Sequence, residues 1–199
     1  MSRPRKVSDD DVFAATGRAM MRLGPGELTL AEIAAEAGLT AGALVQRFGS
    51  KRELLLQLSA GAVDGNAAFI RGLRAKHRSP IAVLRDYAEC LANLAASPAA
   101  LARNLAYLQI DLTDSDFRKH LLAQAKSTRA AIAELVVEAI DEGELSHDAR
   151  PRALARVIET TLSGSLITWA TYRDGAAAKW LRDDLEAVIA PYLAKRRRR

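Results

Sequence analysis

The stretch from Glu32 to Leu54, EIAAEAGLTAGALVQRFGSKREL, constrains the fold of this chain more than any other. Its apolar residues recur at helical spacing, and its glycines and hydroxyl residues cut that spacing into pieces. Leu30, Ile33, Ala34 and Ala37 fall at i, i+3, i+4 and i+7, which is one face of a helix. Gly38 stops that helix as a left-handed C-terminal residue does. Thr40 is placed to cap a second helix through its hydroxyl, and Leu44 and Phe48, four apart, supply its inward face. Gly49 ends the second helix. Ser50 with Glu53 then forms a capping box for a third, running into LLLQLS. Two short helices joined by a tight glycine-containing turn outline a helix-turn-helix.

The same punctuation extends along the chain. Ser8 with Asp11 caps a helix over roughly residues 9–23, with Val12, Phe13, Ala19 and Met20 turned inward. Thr29 with Glu32 opens the next. A helix from Lys51 to about Lys76 follows, weakened by Gly61, Gly65 and Gly72. Ser79-Pro80 and Ser97-Pro98 each pair a cap with a first-turn proline, opening helices over roughly 81–96 and 99–111. LTDSDF caps a long helix that ends at Gly143. Another runs from near Asp148 to Arg173 with Pro151 in its first turn, and the last covers Lys179 to about Leu193. No strand-like alternation and no internal repeat stands out. The expected fold is all-α, with about nine helices: a three-helix head with a basic arm over 1–56, and a larger helical domain over 57–199.

Composition narrows the function classes. Cys90 is the one cysteine, so no internal disulfide can form and a reducing compartment is expected. No apolar run approaches the ~18 residues of a membrane span. The basic N-terminus lacks the apolar core of a signal peptide, so a cytoplasmic protein with no membrane partner is expected. The net charge of +5 is matched by the five positives of the tail Lys195 to Arg199, so distribution says more than the sum. Arg3, Arg5 and Lys6 form a basic arm, and Arg47, Lys51 and Arg52 cluster after the turn. His77, His120 and His147 share no metal-ligand spacing with one another or with Cys90. No phosphate loop, nucleophile elbow or triad pattern is present. Neither an enzyme nor a metal or other cofactor is expected.

The block TLAEIAAEAGLTAGALVQRFGSKRELL, with the helix before it ending in Gly24 and the helical body behind it, resembles the tetracycline-repressor (TetR) family of transcriptional regulators. The resemblance implies a homodimer that binds a palindromic double-stranded operator through its head. It also implies a larger domain that binds a small effector and pairs the subunits. A recognition helix opening at Thr40 brings its N-terminal residues nearest the base edges. Leu44 and Phe48 anchor its back, leaving Ala41, Gly42, Ala43, Val45, Gln46 and Arg47 toward the duplex. Gln46 and Arg47 suit bases or phosphates, whereas the alanines and Val45 offer apolar contact. Ser50 and Lys51 place a helix N-terminus beside an ammonium, as a phosphate clamp would. Thr29 and the arm residues Arg3, Arg5 and Lys6 complete the expected DNA-binding set. Val45 departs from the family, which commonly has an aromatic residue there.

Sparse polar residues on the apolar faces of the middle helices suit a mostly apolar effector: Asn66, Tyr87, Cys90, Asn93, Asn104, Tyr107 and Trp169. The dimer seam is expected on the last two helices, through Leu162, Gly164, Ser165 and Trp169 on one and Trp180, Leu181, Leu185, Val188 and Ile189 on the other. Paired about a two-fold axis, these would form a four-helix bundle. The alternative is that both faces pack inside one subunit. The rival reading of the whole chain is an all-α small-molecule binding or carrier protein with a vestigial DNA-binding head.

Overall fold

The computed structural model describes residues 7–194. The arm residues Arg3, Arg5 and Lys6 and the basic tail lie outside the described residues. Within them the chain forms ten α-helices and two short 3-10 turns. The helices are α1 (Asp9–Arg22), α2 (Leu30–Ala37), α3 (Ala41–Phe48), α4 (Lys51–Gly61), α5 (Gly65–Arg74), α6 (Pro80–Ala92), α7 (Pro98–Thr113), α8 (Ser115–Asp141), α9 (Pro151–Tyr172) and α10 (Ala177–Ile189). The 3-10 turns are Asn93–Ala95 and Ala190–Tyr192. The single helix expected over 51–76 is two, broken at residues 62–64. Gly61 and Gly65 flank the break, and each costs a helix interior about 1 kcal/mol relative to alanine.

The described residues divide into two compact units. The first comprises the residues up to Gly61 together with Ala102–Leu121; the second comprises Ala62–Leu101 and the residues from Leu122 onward. The expected single boundary after Leu56 does not reproduce this division, because part of α7 and the start of α8 fold with the head.

The first unit is organised by its caps. Ser8 and Asp11 form a reciprocal box: the Asp11 N–H donates to the Ser8 hydroxyl at 3.1 Å and the Ser8 N–H to the Asp11 carboxylate at 2.9 Å. The Thr29 and Thr40 hydroxyls accept from the N–H groups of Glu32 (3.1 Å) and Ala43 (3.2 Å). Gly38 closes α2 at φ 67° and Gly49 closes α3 at φ 83°, a region side chains rarely enter. At Gly49 a side chain would also run into the Glu53 carboxylate. With the helix ends fixed, one core forms from Val12, Ala19, Leu28, Ile33, Ala34, Leu44, Phe48, Leu54 and Tyr107. Leu28, Ile33, Leu44 and Leu54 are wholly buried, each contributing about 1.5–3 kcal/mol.

In the second unit α9 and α10 pack along one another. Arg85 of α6 grips the Glu186 carboxylate of α10 with two nitrogens, at 2.5 and 3.1 Å. Arg74 of α5 bridges Glu138 of α8 (2.5 Å) and Glu142, just past the end of that helix (2.7 Å). Ser79 caps α6 through the Ala82 N–H at 3.1 Å, and Pro80 occupies its first turn.

Candidate nucleic-acid interface

The head presents α3 as a fixed rod with one bare face. Leu44 and Phe48 are buried, while Gly42, Val45, Gln46 and Arg47 are exposed; Val45 is 49 % accessible. Ala41 and Ala43 are half-buried. Small side chains on this face allow close approach of the helix to a groove, and Gln46 is its exposed amide, able to donate to and accept from a base edge. Thr29, Thr40 and Ser50 are exposed, but their hydroxyls already accept backbone N–H groups: the Glu53 N–H donates to Ser50 at 3.2 Å.

The cations are engaged elsewhere. Arg47 donates to the Val7 carbonyl at 2.8 Å, pairs with Asp9 and sits 5.4 Å from the centre of the Phe48 ring. The Lys51 ammonium donates to the carbonyls of Pro25 (3.2 Å) and Leu28 (2.7 Å), so it ties down the loop between α1 and α2. Arg18 and Arg22 share Glu36, at 2.8 and 2.7 Å. Those contacts, led by the hydrogen bond from Arg18, hold the Glu36 carboxyl below its ordinary value. Arg52 reaches Asp114 (2.9 Å) and Asp116 (2.8 Å) at the turn between α7 and α8. Thus every lysine and arginine between residues 7 and 61 has a partner inside the unit. The sequence offered no sign of this, because each partner lies on another helix or loop.

The seven residues expected around an effector divide between the two units. Asn104 and Tyr107 belong to the first unit, the other five to the second. Tyr107 is a core residue of the head, and its hydroxyl donates to the Leu23 carbonyl at 2.8 Å. Tyr87 is buried, which together with the Glu159 charge pushes its hydroxyl up to about 12. Trp169 is buried and donates from its indole to the Gly175 carbonyl at 3.0 Å. Asn66 and Cys90 are half-buried, and Asn93 is exposed.

Most of the expected dimer seam is core of a single chain. Leu162, Ser165, Trp169, Leu181, Leu185 and Ile189 are buried without any partner subunit. Ser165 donates to Asp184 of α10 at 2.6 Å. Trp180 and Val188 are half-buried, while Gly164 is exposed with open space around it. A different stripe of α9 faces outward: Val157, Thr160, Gly164, Ile167 and Thr171, spaced three and four apart. Val157 and Ile167 are 43 % and 50 % accessible.

Capped helices, a helix-turn-helix with its small-residue face exposed and a second, helical unit define a helix-turn-helix regulator. The family model described as bacterial regulatory proteins, tetR family, matches residues 12–58, and that of the tetracyclin repressor-like C-terminal domain matches 91–185. The chain belongs to the tetR family of DNA-binding transcriptional regulators. Solved structures share its fold. A TetR transcription regulator from Haloarcula marismortui is 19 % identical with TM-score 0.74, over 93 % of this chain and 97 % of that one. SmeT, the repressor of the Stenotrophomonas maltophilia multidrug efflux pump SmeDEF, is 19 % identical with TM-score 0.67, over 96 % and 93 %. FadR of Thermus thermophilus, a repressor solved with lauroyl-CoA, is 23 % identical with TM-score 0.61, over 94 % and 96 %. No curated protein sequence matches the chain.

Proposed function

We propose that this regulator is a homodimeric repressor that reads a palindromic duplex with α3 and leaves it when a small, mostly apolar effector binds. The observation that carries the DNA-reading part is α3 itself: Leu44 and Phe48 buried behind it, Gly42, Val45 and Gln46 bare in front. Two such helices enter successive major grooves when about 34–36 Å apart. An effector that binds better to a dimer with another spacing lowers duplex affinity by its differential affinity for the two states. The acyl-CoA esters bound by the Thermus thermophilus and Bacillus subtilis FadR proteins support an amphiphilic effector class.

With few hydrogen-bonding groups on α3, direct reading rests on Gln46, and the shape and stiffness of the duplex carry the rest. Arg47 contributes a phosphate contact only by exchanging Asp9 for DNA. The outward stripe of α9, with Gly164 at its middle, is the surface for the second subunit. The test is selection from a random duplex pool with the purified protein, followed by binding at several salt concentrations. Enrichment of a palindrome with strongly salt-dependent affinity is expected. Absence of any enriched duplex would favour the carrier reading.

A further inference from the structure

The second unit contains a groove of about 1170 Å³ between α8 and the first turns of α9. Ala130, Ala133 and Val137 of α8, with Pro151 and Ala153 of α9, give it a floor of small apolar side chains. Val137 is 43 % accessible, so this floor is wetted in the free chain. The α8 stripe from Lys126 to Val137 is about 16 Å long at 1.5 Å per residue. None of the seven residues expected to hold an effector lines this groove.

The rim is strongly one-sided in charge. Arg129 is held by Glu159 at 2.6 Å, and Glu138 by Arg74 at 2.5 Å, so those two charges are already matched. Lys126, Arg150, Arg152 and Arg156 form no ion pair among the described residues, and the one other carboxylate on the groove is Glu134. Four cations therefore surround an apolar floor with one unmatched acid. Such a surface is incomplete in water: the floor favours covering, and guanidinium forks favour a phosphate or carboxylate. A cationic or neutral apolar ligand would leave the rim unmatched. A second copy of the chain laid groove to groove would set cations against cations.

The geometry points to this groove as a binding site for an anionic amphiphile, with its apolar body along α8 and its acidic head on Arg150, Arg152 and Arg156. Its consequence for gene control rests on the effector-responsive reading above, but the site itself does not. Binding is measured on the full chain by calorimetry without DNA, using dodecyl phosphate below its micellar concentration. One molecule per chain is expected. Reversing two rim charges in the double variant Arg152→Glu, Arg156→Glu should weaken binding about tenfold, because two of the cations that would match the acidic head become repulsive. Ala130→Trp, at an exposed position where folding is not at stake, should fill the floor and abolish binding.

Dodecyltrimethylammonium should not bind, and inorganic phosphate should bind far more weakly than dodecyl phosphate. Equal binding of the cationic amphiphile would overturn the proposal, as would inorganic phosphate binding as tightly as the ester. So would dodecyl phosphate binding unchanged in both variants. A shift in sedimentation of the charge-reversed variant, with ester binding intact, would assign the groove to a second subunit instead. A protein that binds the ester but no duplex would leave this site standing and sink the regulator reading alone.

Discussion

Arg47 of α3 is paired with Asp9 in the first turn of α1, and its second donor is fixed by the Val7 carbonyl. The one guanidinium on the outward side of α3 is therefore neutralised before any DNA arrives. Under the proposed function, a phosphate that takes Arg47 must displace a carboxylate, which makes Asp9 an internal competitor of the duplex.

The Asp9→Asn variant should bind DNA more tightly than the parent protein, by up to about fivefold, the range of an exposed ion pair. Arg47→Ala should reduce the magnitude of the log-affinity against log-salt slope by about one. In the double variant the Asp9 effect should vanish. Fluorescence anisotropy over a salt series reads all three, and additive effects of the two changes would mean that the pair does not compete with DNA.

Lys51 is expected to act on stability more than on affinity. Its ammonium satisfies the Pro25 and Leu28 carbonyls, and removing it leaves both without that donor. Lys51→Met should cost the head about 1–3 kcal/mol in urea unfolding. An unchanged midpoint with weakened duplex binding would return Lys51 to the role of a phosphate clamp.

Acid should loosen the contact between α4 and the α7–α8 turn. The hydrogen bond from Arg52 is the main cause that holds Asp114 below its ordinary value of 3.8, helped by the N–H groups of Asp116 and Phe117. The folded chain thus binds this proton less readily than the unfolded one. The stabilisation is complete above pH 3.8 and is lost as the pH falls through the depressed folded value. Asp114→Asn should be less stable than the parent at neutral pH, and the gap should close in acid. Urea melts across that range check it; a gap independent of pH would remove Asp114 from the linkage.

Gly164 separates the two placements of the dimer seam. It has open space around it, so a leucine there fits the isolated chain. Gly164→Leu and Ile167→Glu should leave the thermal melt of a monomer intact yet shift sedimentation toward monomer at low micromolar concentration. A dimer indifferent to both would place the seam away from this stripe of α9.

The helical class and most helix ends were legible in the sequence because they are local. A serine or threonine three residues before an acidic side chain, a glycine with positive φ, or a first-turn proline acts within one turn of backbone. Gly38, Thr40, Ser79-Pro80 and Gly143 could be read that way, as could Leu44 and Phe48 on the buried side of α3. Even the break near Gly61 and Gly65 was signalled, although periodicity alone carried the helix through it. Only the tertiary structure decided what faces what. A 3.6-residue period shows that Leu162, Leu181 and Leu185 share apolar faces, but the same pattern serves an intrachain core or a subunit seam. Likewise Arg47 and Lys51 read as free cations until folding brings Asp9 and the Pro25 and Leu28 carbonyls to them. Those partners lie 38, 26 and 23 residues away, and charge pairing at such separations follows from helix packing, not from local sequence.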